Sequence, residues 1–369
     1  MKIIILRFPE VDPLFSEVVC FMAERLGYDI VGFVSFDVNE KLKTFNGYLI
    51  YEMMQVYDLS WDVAIYACEE DFFETIRPRL IKLQIGTDDQ FKNINWLLQQ
   101  TMIKKYEDFD EPTIQATLEY WKTHKISVYN QLIDKNNIEL DKVFFDEACG
   151  LPYINFKTVG GNFRRMYFPN DYDFLTVDGQ KAVANLLCEQ RPTSPHLYIK
   201  DEHKVNAGDI IIDAGTCEGN FALRYVDICS KLYLFEPNKK WQEPLRQTFK
   251  DYRDKVKIIP RFVSDKTGGE NITIDDVLLD MKCENIFLKM DVEGAEPKAL
   301  RGAEKILTNN KVKASVCTYH NFDDLVKVKS ILQKFGYKTS TSAGYMVFLY
   351  DPNIFVTADF RKGIVYAEK

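Results

Sequence analysis

The chain alternates short, almost wholly apolar runs with longer stretches in which apolar residues recur every three or four positions. Its first runs are KIIILR at 2–7, DIVGFVSF at 29–36 and DVAIYAC at 62–68. Runs of this length without polar alternation predict strands covered on both faces, as in a parallel sheet. Phe15 to Leu26 carries a helical stripe closed by Gly27, and Glu70 to Leu83 carries another. Strands and helices in this order predict a small parallel α/β unit over residues 1–86.

The pattern then changes twice. Residues 87–142 read as a polar helical linker broken at Pro112, with helical periodicity reaching 137. Residues 143–204 mix strand-like pieces with turns at Gly150, Gly160–Gly161 and Pro169–Asp171, then a helix at 178–190 and the turn Pro192-Thr-Ser-Pro195. Aromatic residues crowd this stretch: Tyr153, Phe156, Phe163, Tyr167, Phe168, Tyr172 and Phe174. They read either as a packed cluster joining domains or as a stacking platform for a sugar, and the stretch as a lid or substrate region. From 205 to 369 the order becomes regular. Strands are predicted at 210–213, 231–236, 256–263, 285–290 and 312–319, with helices from about Phe221 and Trp241 and at 296–308 and 322–335. Two closing strands, 337–341 and 344–350 around Gly344, suit a terminal antiparallel hairpin.

Composition narrows the class. With 369 residues the chain exceeds one typical core, so more than one domain is expected. A net charge of −8 argues against nucleic acid as the main partner, because phosphate binding needs a concentrated basic face. The eight cysteines include no C-x-x-C pair, and Cys68 and Cys317 sit inside apolar runs, so buried free thiols and a reducing, cytoplasmic setting are expected. No stretch reaches 18 apolar residues, and the opening run is too short for a signal peptide, so no membrane span is expected.

The chemistry concentrates at three strand ends. The first strand runs into Asp213-Ala-Gly215-Thr216-Cys-Glu-Gly219-Asn220-Phe221. The glycines permit a tight turn and close approach of a ligand to backbone. An acid at the strand end would repel a pyrophosphate but attract an ammonium group. The second strand ends in Glu236-Pro237-Asn238, about 20 residues on, where nucleoside-binding folds place the acid that grips ribose hydroxyls. The third delivers Lys289-Met-Asp291-Val-Glu293-Gly294-Ala-Glu296, followed by Leu300-Arg-Gly302-Ala.

These three segments together resemble the FkbM family of S-adenosylmethionine-dependent methyltransferases, over roughly 205–350. The resemblance implies an α/β fold: a class I methyltransferase Rossmann-like sheet of seven strands in the order 3-2-1-4-5-7-6, preceded here by a smaller Rossmann-like domain and the helical linker. It implies S-adenosylmethionine as cofactor. Asp213 would hold the turn and, directly or through water, the methionine ammonium. Gly215 and Gly219 would let backbone amides approach the methionine part, Glu236 would accept both ribose hydroxyls, and Thr216, Asn220, Phe221, Pro237 and Asn238 would also bind the cofactor. Ser264 and Asp265 would meet the adenine amino group. The implied acceptor is a hydroxyl on a small molecule or glycan.

Proton removal from that hydroxyl needs a base at the same edge. Asp291 and His320, at the ends of adjacent strands, are the two candidates, and a base of histidine character predicts a pH–rate profile rising through about 6–7. Glu293 is either a second carboxylate of the site or the charge at the start of the next helix. The acid-rich ligand set that Mg²⁺ prefers is incomplete, so no metal is expected. A nicotinamide enzyme would need G-x-G-x-x-G after a strand, which is absent. A non-catalytic scaffold of the same fold would be expected to have lost Asp213, Glu236 or Asp291. In the front unit the first strand is followed by Phe8-Pro9-Glu10-Val11-Asp12-Pro13, with acids and prolines where a phosphate needs N–H donors. That predicts a degenerate module for docking, homodimerisation or sensing, similar to those attached to glycan-biosynthesis enzymes.

Overall fold

The computed structural model describes residues 1–8, 13–37, 39–66, 70–129, 142–171, 173–279, 281–282 and 284–369. Residues 9–12, Cys68, Tyr172, Cys283 and the helical expectation over 130–137 lie outside the described residues. The chain divides into two compact units, Met1–Val128 with Leu349–Asp359, and Tyr129–Phe348 with Phe360–Lys369.

The first unit is built on strands β1 (Lys2–Arg7), β2 (Asp29–Ser35), β3 (Thr44–Phe45), β4 (Tyr48–Glu52), β5 (Val63–Tyr66) and β6 (Phe91–Asn93), ordered β3-β4-β2-β1-β5-β6. All pairs but β3/β4 are parallel. Helices α1 (Pro13–Leu26) and α2 (Glu70–Lys82) fall where the apolar periodicity predicts them. The expected polar linker instead contributes two helices to this unit. α3 (Ile94–Tyr106), capped by Asn93, buries Ile94, Leu97, Leu98 and Met102. Pro112 opens α4 (Pro112–Tyr120) instead of breaking a helix, because the first helical position has no use for the N–H that proline lacks.

The second unit begins with an antiparallel sheet of β7 (Phe144–Asp146), β8 (Leu151–Lys157) and β9 (Phe163–Tyr167), then α5 (Val177–Cys188). Most of its aromatics pack on one another, Tyr153 on Tyr167 at 5.5 Å and Phe168 on Phe174 at 5.0 Å, while Phe163 is exposed. The main sheet follows: β10 (Ile210–Ala214), α6 (Asn220–Tyr225), β11 (Lys231–Phe235), α7 (Lys239–Thr248) and β12 (Val256–Ile259). After it come the small pair β13 (Phe262–Val263) and β14 (Asn271–Ile272), and α8 (Ile274–Val277). The rest comprises β15 (Asn285–Met290), α9 (Glu296–Arg301), α10 (Glu304–Asn309), β16 (Lys311–Cys317), α11 (Asp324–Lys334), β17 (Lys338–Thr341) and β18 (Ile364–Glu368). Their order, β12-β11-β10-β15-β16-β18-β17, is 3-2-1-4-5-7-6 in the unit's own strand sequence, the class I methyltransferase arrangement.

Three boundaries differ from expectation. The strand expected at 256–263 stops before Pro260, which cannot donate to a ladder. The helix expected at 296–308 divides at Gly302, where a Cβ would lie 2.0 Å from the Ser264 carbonyl oxygen. The last strand is not 344–350 but Ile364–Glu368, which pairs antiparallel with both β16 and β17. That inner position is buried on both faces, and Ile364, Val365, Tyr366 and Ala367 are all buried.

Candidate active site

The apolar strands β10, β11 and β15 carry their acids to one carboxyl edge, where open α/β sheets bind ligands. Parallel register sets Asp213 opposite Lys289 on β15. Their side chains form a buried ion pair, Lys289 Nζ to Asp213 Oδ1 at 3.1 Å, with Asp213 0% exposed. Burial pushes the Asp213 carboxyl up against the pull of Lys289. Burial would also lower the Lys289 ammonium, but Asp213 and Asp291 outweigh it and hold it above the ordinary lysine value. Lys289 also donates to the Gly215 carbonyl, so the pair fastens the turn. Asp213 has no exposed face, and its side chain meets Lys289.

The turn itself is tightly determined. Gly215 has φ +80°, and a Cβ there would lie 1.7 Å from the Asp291 carbonyl oxygen. Its N–H and that of Thr216 both donate to the Phe235 carbonyl, at 3.0 and 3.1 Å. The Thr216 hydroxyl donates to the Asp213 carbonyl at 2.9 Å. Gly219 caps α6 in the left-handed region, and Asn220 and Phe221 open the helix. Glu218, buried in the same turn, has its carboxyl pushed up to about 7 by burial.

Glu236 is 6% exposed and holds two backbone amides, Cys217 N–H at 2.8 Å and Asn238 N–H at 2.8 Å, one on each carboxylate oxygen. Each oxygen keeps a second lone pair for a ligand hydroxyl. Pro237 follows, and the Asn238 side chain caps α7 by accepting from Lys240 N–H. Ser264 and Asp265 lie beyond β12, with the Ser264 hydroxyl 3.3 Å from Asp265 and Asp265 3.9 Å from Arg301.

Asp291 has four side-chain partners. Its Oδ2 accepts from the Tyr198 hydroxyl at 2.7 Å and lies 3.2 Å from His196 Nε2. Its Oδ1 accepts from Tyr319 at 3.2 Å and lies 3.4 Å from His320 Nε2. Burial alone would raise its carboxyl, but His196, Lys289 and His320 outweigh that and hold it well below the usual carboxylate range. A carboxylate stabilised in this way is a weak proton acceptor and a strong orienter. His320 reaches Glu296 through Nδ1 at 3.2 Å and the exposed Glu293 through Nε2 at 3.5 Å. The buried Arg361 donates to the carbonyls of Tyr319 and His320, fixing the loop after β16.

The sequence therefore indicated Asp291 beside His320, and the structure brings them together. It did not indicate His196, Glu189, Tyr198 or Tyr319. The alternation in His196-Leu-Tyr198 sends both polar rings one way, a signal too short to read without the sheet. Asp291, Glu296 and His320 come close enough to one another to suggest a metal site, as do His196, Asp291 and Cys317. The ring nitrogens of both histidines already face carboxylates, which makes ion pairs the simpler account. A cavity of about 240 Å³ opens beside the turn, lined by Asn220, Phe221, Arg224 and Tyr225 on one face of α6 with Phe156 and Leu187 across it.

A seven-stranded sheet in this order, with acids at three adjacent strand ends around a glycine turn, defines a class I methyltransferase-type unit. Residues 252–339 match the family model described as the methyltransferase FkbM domain. The chain is similar to a solved FkbM methyltransferase from Methylobacillus flagellatus KT, at 15% identity over 99% of this chain and 89% of that one, TM-score 0.41. It is also similar to precorrin-6y C5,15-methyltransferase from Geobacter metallireducens GS-15, at 12% identity, 45% and 84% coverage and TM-score 0.31. A third is magnesium protoporphyrin IX methyltransferase from Synechocystis PCC 6803, solved with bound S-adenosylmethionine, at 12% identity, 44% and 71% coverage and TM-score 0.30. No curated protein matches the sequence. Among the described residues no helix is long and apolar enough to cross a membrane.

Proposed function

We propose that the second unit binds S-adenosylmethionine at the β10–β11–β15 edge and methylates a hydroxyl group of a carbohydrate or another small molecule of a glycan pathway. The observation that carries this reading is the edge itself. Its acids and glycine turn suit a cationic, hydroxyl-bearing nucleoside and disfavour a pyrophosphate. The residues present fit the cofactor: Glu236 has lone pairs left for ribose hydroxyls, and the Gly215–Gly219 turn, fastened by Lys289 and Asp213, offers backbone to the methionine part. Bound there, the cofactor supplies an electrophilic methyl group on a cationic sulfur.

The chain's own residues then do three things. Glu236 and the turn position the donor. Asp291, steered by two tyrosines and two histidines, orients the acceptor hydroxyl, and orientation supplies most of the acceleration in a displacement of this kind. The imidazoles of His196 and His320 hold protons beside it. The aromatic and apolar lining of the cavity at α6, with Phe156 below the Arg224 guanidinium at 5.5 Å, suits the ring face of a sugar. Differential scanning fluorimetry with S-adenosylhomocysteine tests the cofactor reading. A saturable rise in the unfolding temperature is expected, and no shift at millimolar ligand would count against it.

A further inference from the structure

Five side chains stand in ion-pair contact as an alternating series of carboxylates and imidazoles through the second unit. Glu189 Oε2 lies 3.3 Å from His196 Nδ1, and His196 Nε2 lies 3.2 Å from Asp291 Oδ2. Asp291 Oδ1 lies 3.4 Å from His320 Nε2, and His320 Nδ1 lies 3.2 Å from Glu296 Oε1. One end meets solvent, since the Glu189 side chain is 34% exposed, while Glu296 at the other end is 0% exposed. The other titratable groups facing His196 are Tyr198 and Cys317, at 3.2 and 3.5 Å from Nε2, with the Tyr129 and Tyr319 rings at 6.3 and 5.1 Å. His320 also faces Glu293 and the Tyr319 ring. Burial would lower the His196 imidazolium, but Asp291 and Glu189 outweigh it and push it up to about 9. Burial opposes His320 too, and Glu296 and Asp291 outweigh it. At neutral pH His196 therefore carries its proton.

Its centre abuts the cofactor turn. The Asp291 N–H donates to the Ala214 carbonyl at 2.9 Å, and the Asp291 carbonyl occupies the space a Cβ on Gly215 would need. Positive charge arriving at that turn opposes a second positive charge on the imidazoles. Resting on the cofactor reading above, we propose that the series exchanges a proton for the charge of the cofactor: His196 gives up its Nδ1 proton through Glu189 when a sulfonium binds, so that the net charge beside the turn changes little.

Linkage makes this measurable without any acceptor, because a group that loses a proton on binding must release it to buffer. Calorimetric titrations of the full chain at pH 8, in phosphate and in Tris, give the protons released on binding S-adenosylmethionine and the uncharged thioether S-adenosylhomocysteine. The expected result is about half a proton to one proton more for the sulfonium than for the thioether. That excess should fall at least by half in His196→Gln and in Glu189→Gln. Should His196→Gln fail to fold, the part-exposed Glu189→Gln carries the test. Equal proton numbers for the two ligands, or an excess unchanged in the folded variants, overturn the exchange while leaving the cofactor reading intact. Absence of binding by either ligand overturns both.

Discussion

Two largely parallel sheets in one chain reach their carboxyl edges with opposite contents. In the first unit the residues at the ends of β1, β2 and β5 are aromatic. Phe8 stacks on Phe36 at 4.9 Å and meets Phe73 at 6.5 Å, and Tyr66 stacks on Phe73 at 3.6 Å. These rings close the edge as core. In the second unit the corresponding strand ends carry the buried Asp213 and Glu236 and the half-buried Asp291, each held by a cation or by backbone N–H groups. A sheet edge becomes a site only where polar groups are worth burying, and burial there demands partners for every one of them. Similar strand patterns can therefore build a site in one unit and core in the other.

The comparison can be broken at its glycines. Gly215→Ala places a Cβ against a backbone carbonyl at positive φ, so we expect the second unit to lose about 4 kcal/mol or more and to lose cofactor binding. Gly27, at φ +75° in the first unit, has nothing within 4 Å of its Cβ position, so Gly27→Ala should cost only about 1–2 kcal/mol. Denaturant melts of both variants check the pair, and equal losses would contradict the account of the turn. The aromatic edge is probed by Phe8→Ala, expected to destabilise the first unit by about 3–4 kcal/mol. Its affinity for S-adenosylmethionine should stay at the wild-type value. A matching loss of affinity would mean that the first unit contributes to the site.

Acidity sharpens the contrast more gently. The buried histidines His196, His203 and His320 belong to the second unit, whereas His124 of the first is exposed. His196, raised to about 9, contributes stability that is complete below about 6.5 and fades as pH rises through 9. His203 is lowered to about 4 by burial, with Lys313 and Lys200 adding to it, so its contribution is complete above about 6.5 and fades as pH falls through 4. Melting temperatures of the wild type should decline on both sides of about 6.5. His203→Gln should flatten only the acid side, and an unchanged acid limb would contradict the buried neutral imidazole. Without cofactor the facing carboxylates hold His196 at about 9, above the range behind the expected 6–7 rise in rate.

The strand ends that carry acids were legible because an apolar run followed by Asp-x-Gly or Glu-Pro-Asn is a local pattern. The strand order was expected from the FkbM resemblance, and the pairing of β10, β11 and β15 agrees with it. The pairing of Lys289 with Asp213 was not legible, since it depends on parallel register between strands about 75 residues apart. His196 and Glu189 stayed hidden for a related reason. They lie on a helix end and a loop before the sheet, and only tertiary packing brings them to Asp291. β18 was missed because the residues between β17 and Ile364 include 349–359, which belong to the other unit, and no local periodicity marks that return.

In the proposed function Glu236 and the turn beside it hold S-adenosylmethionine. Isothermal titration of the wild type and of Glu236→Gln, a change that keeps size while removing the charge, tests it most directly. Saturable binding by the wild type, weakened tenfold or more (about 1.5–3 kcal/mol) in the variant with its melting curve largely kept, is the predicted result. Equal affinity in the two proteins, or no binding by a folded wild type, would contradict it.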